Sequence, residues 1–192
     1  MRRHRGRLVC LLAIALGPAT ARAQDVSPEA WFASLRVGMW VKVDGQRGPD
    51  GVLQASRIKV YAGELDEVTL ESDAAAVDVA RLKLQTSLGV RVVATPQTEM
   101  EGPGRQRHVS LASVHVGDRV KIAGQLQKDG SLLAQEIEIE ESRPAEGGRP
   151  PTDEHELTAR IESIDRAGLR IVVVGLPIQV GAGTRMRSSL PD

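Results

Sequence analysis

The chain has 192 residues, with 25 Lys and Arg against 25 Asp and Glu, one cysteine and four aromatic side chains. Balanced charge and so few rings exclude the basic, aromatic-lined groove that single-stranded nucleic acid requires, and one cysteine excludes an internal disulfide. The length serves one medium core or two small ones.

The N-terminus opens with Arg2, Arg3, Arg5 and Arg7, continues with an apolar run from Leu8 to Leu16, and ends on Ala21-Arg22-Ala23. This is the pattern of a secretory signal peptide over residues 1–23. The run is too short to cross a bilayer, which takes about 20 residues, so no membrane span is expected. Cys10 stands at the front of the run rather than just behind it, which argues against a lipoprotein. Cleavage would remove five arginines, no acid and Cys10, leaving an acidic protein with a periplasmic or secreted location. "SPEAWFASL" then predicts a short helix, with Ser27 as cap and Pro28 at its first position.

Ser34–Val60 and Ser113–Ile139 agree at 12 of 27 positions when laid over each other at an offset of 79. Val41-Lys42-Val43 and Val120-Lys121-Ile122 alternate with period two, as half-buried strands do. Asp50-Gly51 and Asp129-Gly130 mark tight hairpins. The returning strand holds an odd step, from Ala55 to Ile58 and again from Ala134 to Ile137. An odd step flips the side chains across the sheet unless a residue is absorbed, so a β-bulge is predicted near Ser56-Arg57 and near Gln135-Glu136.

A second pattern separates and follows these hairpins. Ala80–Met100 and Ala167–Met186 each give an alternating strand, a break, another strand and then a Thr, and Leu157, Ala159 and Ile161 alternate upstream of the later copy. The segment 141–156 is rich in Pro, Gly and charge and reads as a flexible linker. The expected fold is all-β, two small OB-like barrel repeats, 24–104 and 105–192. An alternative grouping makes 63–140 one complete barrel and closes 30–60 with 157–186. The sequence leaves both open.

The motif L-x-V-G-x-x-V-K-V-x-G…D-G-x-L-x-A-x-x-I, carried by Leu35–Ile58 and Val114–Ile137, resembles a bacterial exported family, domain of unknown function 5666. The resemblance implies small OB-like barrels and brings no catalytic residue. Met39 departs from the pattern, where the second copy has Asp118; if that Asp ties down a turn, the first copy lacks the tie.

Chemistry is sparse. No G-x-S-x-G, H-E-x-x-H or phosphate-cradling loop occurs, so an enzyme is not expected, nor a cofactor. His108 and His115 read as exposed loop residues. Asp153, Glu154, His155 and Glu156 form a possible divalent-metal cluster or an acidic stretch of linker. Arg57 and Lys59 stand where the second copy has Glu136 and Glu138, and would either face those acids or point separately to solvent. The aromatic set Trp31, Phe32, Trp40 and Tyr61 would make a contact patch if exposed together, with Trp31 and Phe32 otherwise plugging a barrel end. The expected function is a non-catalytic exported barrel that binds or scaffolds an envelope protein or glycan; the alternative is a metal-related envelope accessory protein.

Overall fold

A computed structural model describes residues 28–106, 109–140 and 154–188. The signal-peptide segment with Cys10, the cap Ser27, His108, and residues 141–153 of the linker lie outside the described residues. A helix α1, Pro28–Ser34, is followed by strands β1 (Trp40–Arg47), β2 (Leu53–Val60), β3 (Val68–Asp78), β4 (Lys83–Thr86), β5 (Arg91–Val93) and β6 (Glu99–Glu101). Then come β7 (Arg119–Leu126), β8 (Leu132–Ile139), β9 (Glu154–Asp165), β10 (Arg170–Val173), β11 (Leu176–Gln179) and β12 (Arg185–Ser188). Glu154 to Glu156, read as linker, are the first three residues of β9.

The strands close two five-stranded barrels. In the central barrel, β3, β4, β5, β8 and β7 pair in that order and β7 returns to β3. In the terminal barrel, β1, β2, β11, β10 and β9 do the same, with β9 returning to β1. The strands within 24–104 therefore do not close on one another: β1 and β2 bond to β9, β11 and β12, while β3, β4 and β5 form a closed sheet with β7 and β8. The reason is that a hairpin has two bare edges. The meander 68–101 gives its edges to β7 and β8, and the N-terminal hairpin takes the C-terminal meander. The fold is all-β, two OB-like barrels, one a circular permutation of the other.

Local geometry explains which letters recur. Asp44 faces Arg57 and Gly45 faces Ala55, so Ser56 has no partner across the ladder. In the same way Ala123 faces Glu136, Gly124 faces Ala134, and Gln135 is passed over. These are the two bulges that the odd steps predict. They draw the opposite strand in so closely that a Cβ on Gly45 would overlap the Gln54 carbonyl, and one on Gly124 the Leu133 carbonyl. Gly51 and Gly130 turn the hairpins with φ of 79° and 77°, which other residues resist. A further matched pair of register shifts, passing over Ala75 in β3 and Glu162 in β9, carries no comparable signal in the sequence.

Two threonines then lock the closing loops. The Thr98 hydroxyl accepts from Thr95 N–H and donates to the Ala134 carbonyl, each at 2.8 Å. Thr184 accepts from Gly181 N–H at 2.9 Å and donates to the Ala55 carbonyl at 2.7 Å. Met39 also finds a role: its sulfur lies 3.4 Å from Arg36 N–H, where Asp118 accepts from His115 N–H at 2.7 Å. The tie that the first copy was expected to lack is held by a thioether.

Gly45→Ala and Gly124→Ala should each destabilise the protein by about 1–3 kcal/mol through overpacking at the bulge. Gly63→Ala, whose added carbon meets nothing within 4 Å, should change stability by less than about 0.5 kcal/mol. Urea midpoints of the three variants measure the difference.

Candidate functional site

The barrels share one seam. Residues 69–71 of β3 pair with 156–158 of β9, placing Leu70 opposite Leu157, both buried. On the outer face the registers line up one transverse row across six strands: Arg57, Asp44, Glu156, Glu71, Lys121 and Glu138. Three acids meet side by side at its centre, and each is answered by a cation. Asp44 has Arg57 at 3.2 Å, Glu156 has Lys42 at 2.6 Å, and Glu71 has Arg119 at 3.1 Å. Arg119 also reaches Asp73 at 3.3 Å and the Glu154 backbone carbonyl. Together with Glu154, whose carboxylate takes the Ser56 hydroxyl at 2.6 Å, these groups line a polar cleft of about 220 Å³.

The seam perturbs its ionisable groups in physically distinct ways. Burial pushes the Asp44 carboxyl above the ordinary carboxylate value, and Arg57 only partly offsets it. Burial, then the charge of Glu71, does the same to Glu140. Burial works against the charge on Lys42, but the hydrogen bond it donates to Glu156, together with the charges of Glu156 and Asp44, outweighs burial and raises the ammonium above its usual value.

Of the acidic cluster expected in the sequence, Asp153 lies outside the described residues. Glu154 and Glu156 stand on the outer face of β9, and His155 is buried on the other face, opposite Gly45. His155 nevertheless contributes to the lining of the cleft. Among the described residues no group of three or more His, Cys, Asp or Glu is placed to hold a metal ion.

The aromatic set is also divided. Trp31 and Phe32 are buried and meet edge to face at 5.5 Å, closing the terminal barrel beside Leu35, whose carbonyl accepts from Arg166. Trp40 is buried under Arg160, whose guanidinium lies 5.3 Å from the ring centre. Tyr61 is half-buried, with the Lys59 ammonium 4.5 Å above it. Three of the four rings belong to the core, so they do not form an exposed patch. Likewise Arg57 and Lys59 do not face Glu136 and Glu138, because β2 and β8 belong to different barrels.

Sequence reasoning passed over a second feature. On the central barrel an opening of about 290 Å³ is lined by Val77, Leu84, Val92 and Val93, with Lys83 and Arg91 among its charged residues. Asp78 and Asp129 line it too, and both are already engaged. Arg81 holds Asp78 through its guanidinium at 2.9 Å and its backbone N–H at 3.0 Å. The Ser131 hydroxyl holds Asp129 at 2.6 Å. These bonds keep both carboxyls below the usual range. Lys83 makes no ion pair among the described residues, since its cross-strand neighbour Asp78 is taken by Arg81. The corresponding place in the terminal barrel is filled. There Gln179 stands where Val93 would be and accepts from Arg170, the counterpart of Lys83, at 2.6 Å. Its amide donates to the carbonyls of Gly168, Leu169 and Val180.

The arrangement defines a paired-barrel β protein with an ion-paired seam and, on the central barrel, an apolar opening flanked by cations. The family model for a domain of unknown function, DUF5666, matches residues 13–59 and 72–138, and the chain belongs to that family. No curated protein matches the chain. Among solved structures, silver-bound CusF from Escherichia coli is 18% identical, over 38% of this chain and 91% of that one, with a TM-score of 0.29. Apo-CusF from Escherichia coli is 17% identical, over 40% of this chain and 90% of that one, at a TM-score of 0.29.

Asp44 sets a pH dependence with a definite sign. A carboxyl whose pKa is raised on folding contributes stability at low pH that is lost as pH rises through its folded value. Wild-type protein should therefore gain stability relative to Asp44→Asn as pH falls from about 7 to about 4. Paired urea titrations across that range measure the gain, and a constant difference would contradict the role given to burial.

Proposed function

We propose that the protein is a non-catalytic, exported binding protein of the bacterial envelope, in which the seam is scaffold and the opening on the central barrel holds the ligand. Export is supported by the basic, apolar and Ala-x-Ala segments of residues 1–23. The non-catalytic reading is supported by the seam itself. Its three central acids, Asp44, Glu156 and Glu71, are each held by a cation, and the sequence carries no catalytic motif that would recruit them.

The observation that carries the binding reading is the comparison of the two barrels. Both derive from the same pair of units and keep the same registers, yet one fills the position with Gln179 and four hydrogen bonds while the other leaves it open with Val93. A merely structural barrel end has no use for an apolar hollow. The volume stands near the lower bound of small-molecule sites, about 300 Å³, which fits a ligand of modest size.

Val93→Gln copies the filled barrel into the open one. In a screen of small apolar fragments by protein-observed NMR, wild-type chain should show shifts around Val77, Leu84 and Val92, and the variant should lose them while keeping its fold. Fragments that bind the variant as well as the wild type would remove the opening from the function. Expression with residues 1–23 present should yield a chain from the periplasmic or secreted fraction that begins at Gln24.

A further inference from the structure

We infer that the opening on the central barrel takes a small amphiphilic carboxylate, its apolar body against Val77, Leu84, Val92 and Val93 and its anion between Lys83 and Arg91. The inference rests on the binding reading above and adds the chemistry of the ligand.

The charges around the opening are unequal in what they have left to give. Asp78 is ion-paired to Arg81, and Asp129 accepts the Ser131 hydroxyl, while the charges of Lys83 and Arg91 act on Asp78 and Asp129 without a side-chain ion pair. Lys83 has no ion-pair partner among the described residues, and its three ammonium donors are free to turn toward the opening. Arg91 uses one nitrogen, Nη2, on the Asp129 carbonyl at 2.5 Å, so most of its five donors remain. Arg81, Lys83 and Arg91 against Asp78 and Asp129 leave one positive charge over. An incoming group that accepts hydrogen bonds and carries one negative charge completes both counts. A planar carboxylate suits the guanidinium fork, and such charge-assisted bonds are the stronger kind.

The apolar side limits the rest of the molecule. Val77, Leu84, Val92 and Val93 offer no donor or acceptor side chain, and the volume of about 290 Å³ admits a short alkyl or single-ring body. Barrel comparison argues for the same chemistry. In the terminal barrel the cation Arg170 is silenced by Gln179, and Pro177 occupies the position of Arg91. At this position the terminal barrel thus lacks the second cation and holds the first in a hydrogen bond.

The test uses the chain from Gln24 onward and three probes of one length, octanoate, octanol and octylamine, with affinities from NMR titration at low and high salt. Octanoate should bind at least about tenfold more tightly than either analogue, consistent with hydrogen bonds to charged groups, and should weaken with salt. Lys83→Gln and Arg91→Gln should each lower octanoate affinity about tenfold while leaving octanol unchanged, and Lys83→Arg should retain binding. Octanol binding as tightly as octanoate, or glutamine variants with unchanged octanoate affinity, would overturn the carboxylate assignment and leave the opening as a binding site. If none of the three probes perturbs Val77, Val92 or Val93, the binding reading falls with it.

Discussion

The architecture depends on three residues of β3 hydrogen-bonding to three of β9. That ladder, 69–71 against 156–158, makes two barrels into one continuous sheet. It also sets two equivalent leucines, Leu70 and Leu157, face to face about a local twofold axis. Because β9 bonds to β1 on one side and β3 on the other, the N-terminal hairpin and the C-terminal meander are held beside the central barrel. Arg119 on the Glu154 carbonyl and Arg47 on the Ser87 carbonyl add side-chain ties between the barrels. The charged row follows from the same register, since antiparallel pairing puts directly opposed residues on one face.

Duplication followed by divergence explains what remains unequal. The register that places Arg119 opposite Asp73 in the central barrel places Trp40 opposite Arg160 in the terminal one. The first pair is an ion pair at 3.3 Å, the second a cation over a ring at 5.3 Å. Both attach a β-hairpin to the first strand of a meander, and both serve with a cation shielded from water on one side. The interchange shows that the fold demands a long side chain there but not a particular chemistry. At the barrel mouth the copies again solve one geometry twice, with Gln179 as an internal plug and Val93 without one.

Much of this was legible in the letters. Period-two valines, Asp-Gly turns and a repeated odd step specify hairpins and bulges because they report backbone constraints that act within a few residues. The pairing of hairpin with meander was open, because edges are satisfied equally well by near or distant partners until the linker length and barrel packing decide. The strand Val68–Asp78 escaped notice for a local reason. Ser72 and Ala74 sit on its buried face and blunt the apolar alternation, and Ser72 is satisfied by the Ser87 hydroxyl at 3.0 Å. The seam site was half legible. Glu154 and Glu156 were singled out, but assigned to a linker, and their real neighbours Asp44, Glu71 and Arg119 come from three other strands. The opening was invisible, since Lys83, Arg91 and Val93 look like ordinary strand exteriors until β3, β4 and β5 curve around them.

The reversal of charge between the two returning strands has its cause in these neighbours. Asp44 requires a cation across the ladder, and β2 supplies Arg57; its counterpart Ala123 requires nothing, so β8 is free to carry Glu136. One step on, Lys121 lies beside Glu71, but Glu71 is already held by Arg119, and Glu138 answers Lys121 at 3.8 Å instead. In the first copy Lys42 goes to Glu156 on β9, which leaves its cross-strand partner without an acid to meet. That partner is Lys59, and it rests on the face of Tyr61. Each exposed pair contributes only about 0–1 kcal/mol, so stability alone does not dictate the pattern. Where the registers do set like charges side by side, which is costly in a sheet, each is offset by a group of its own: the three acids by Arg57, Lys42 and Arg119, and Lys59 by the ring of Tyr61. The acids that meet at the seam are thus a consequence of how the barrels join, and the cations on each flank are matched to them one by one, while Lys83 and Arg91 at the opening stand outside that matching.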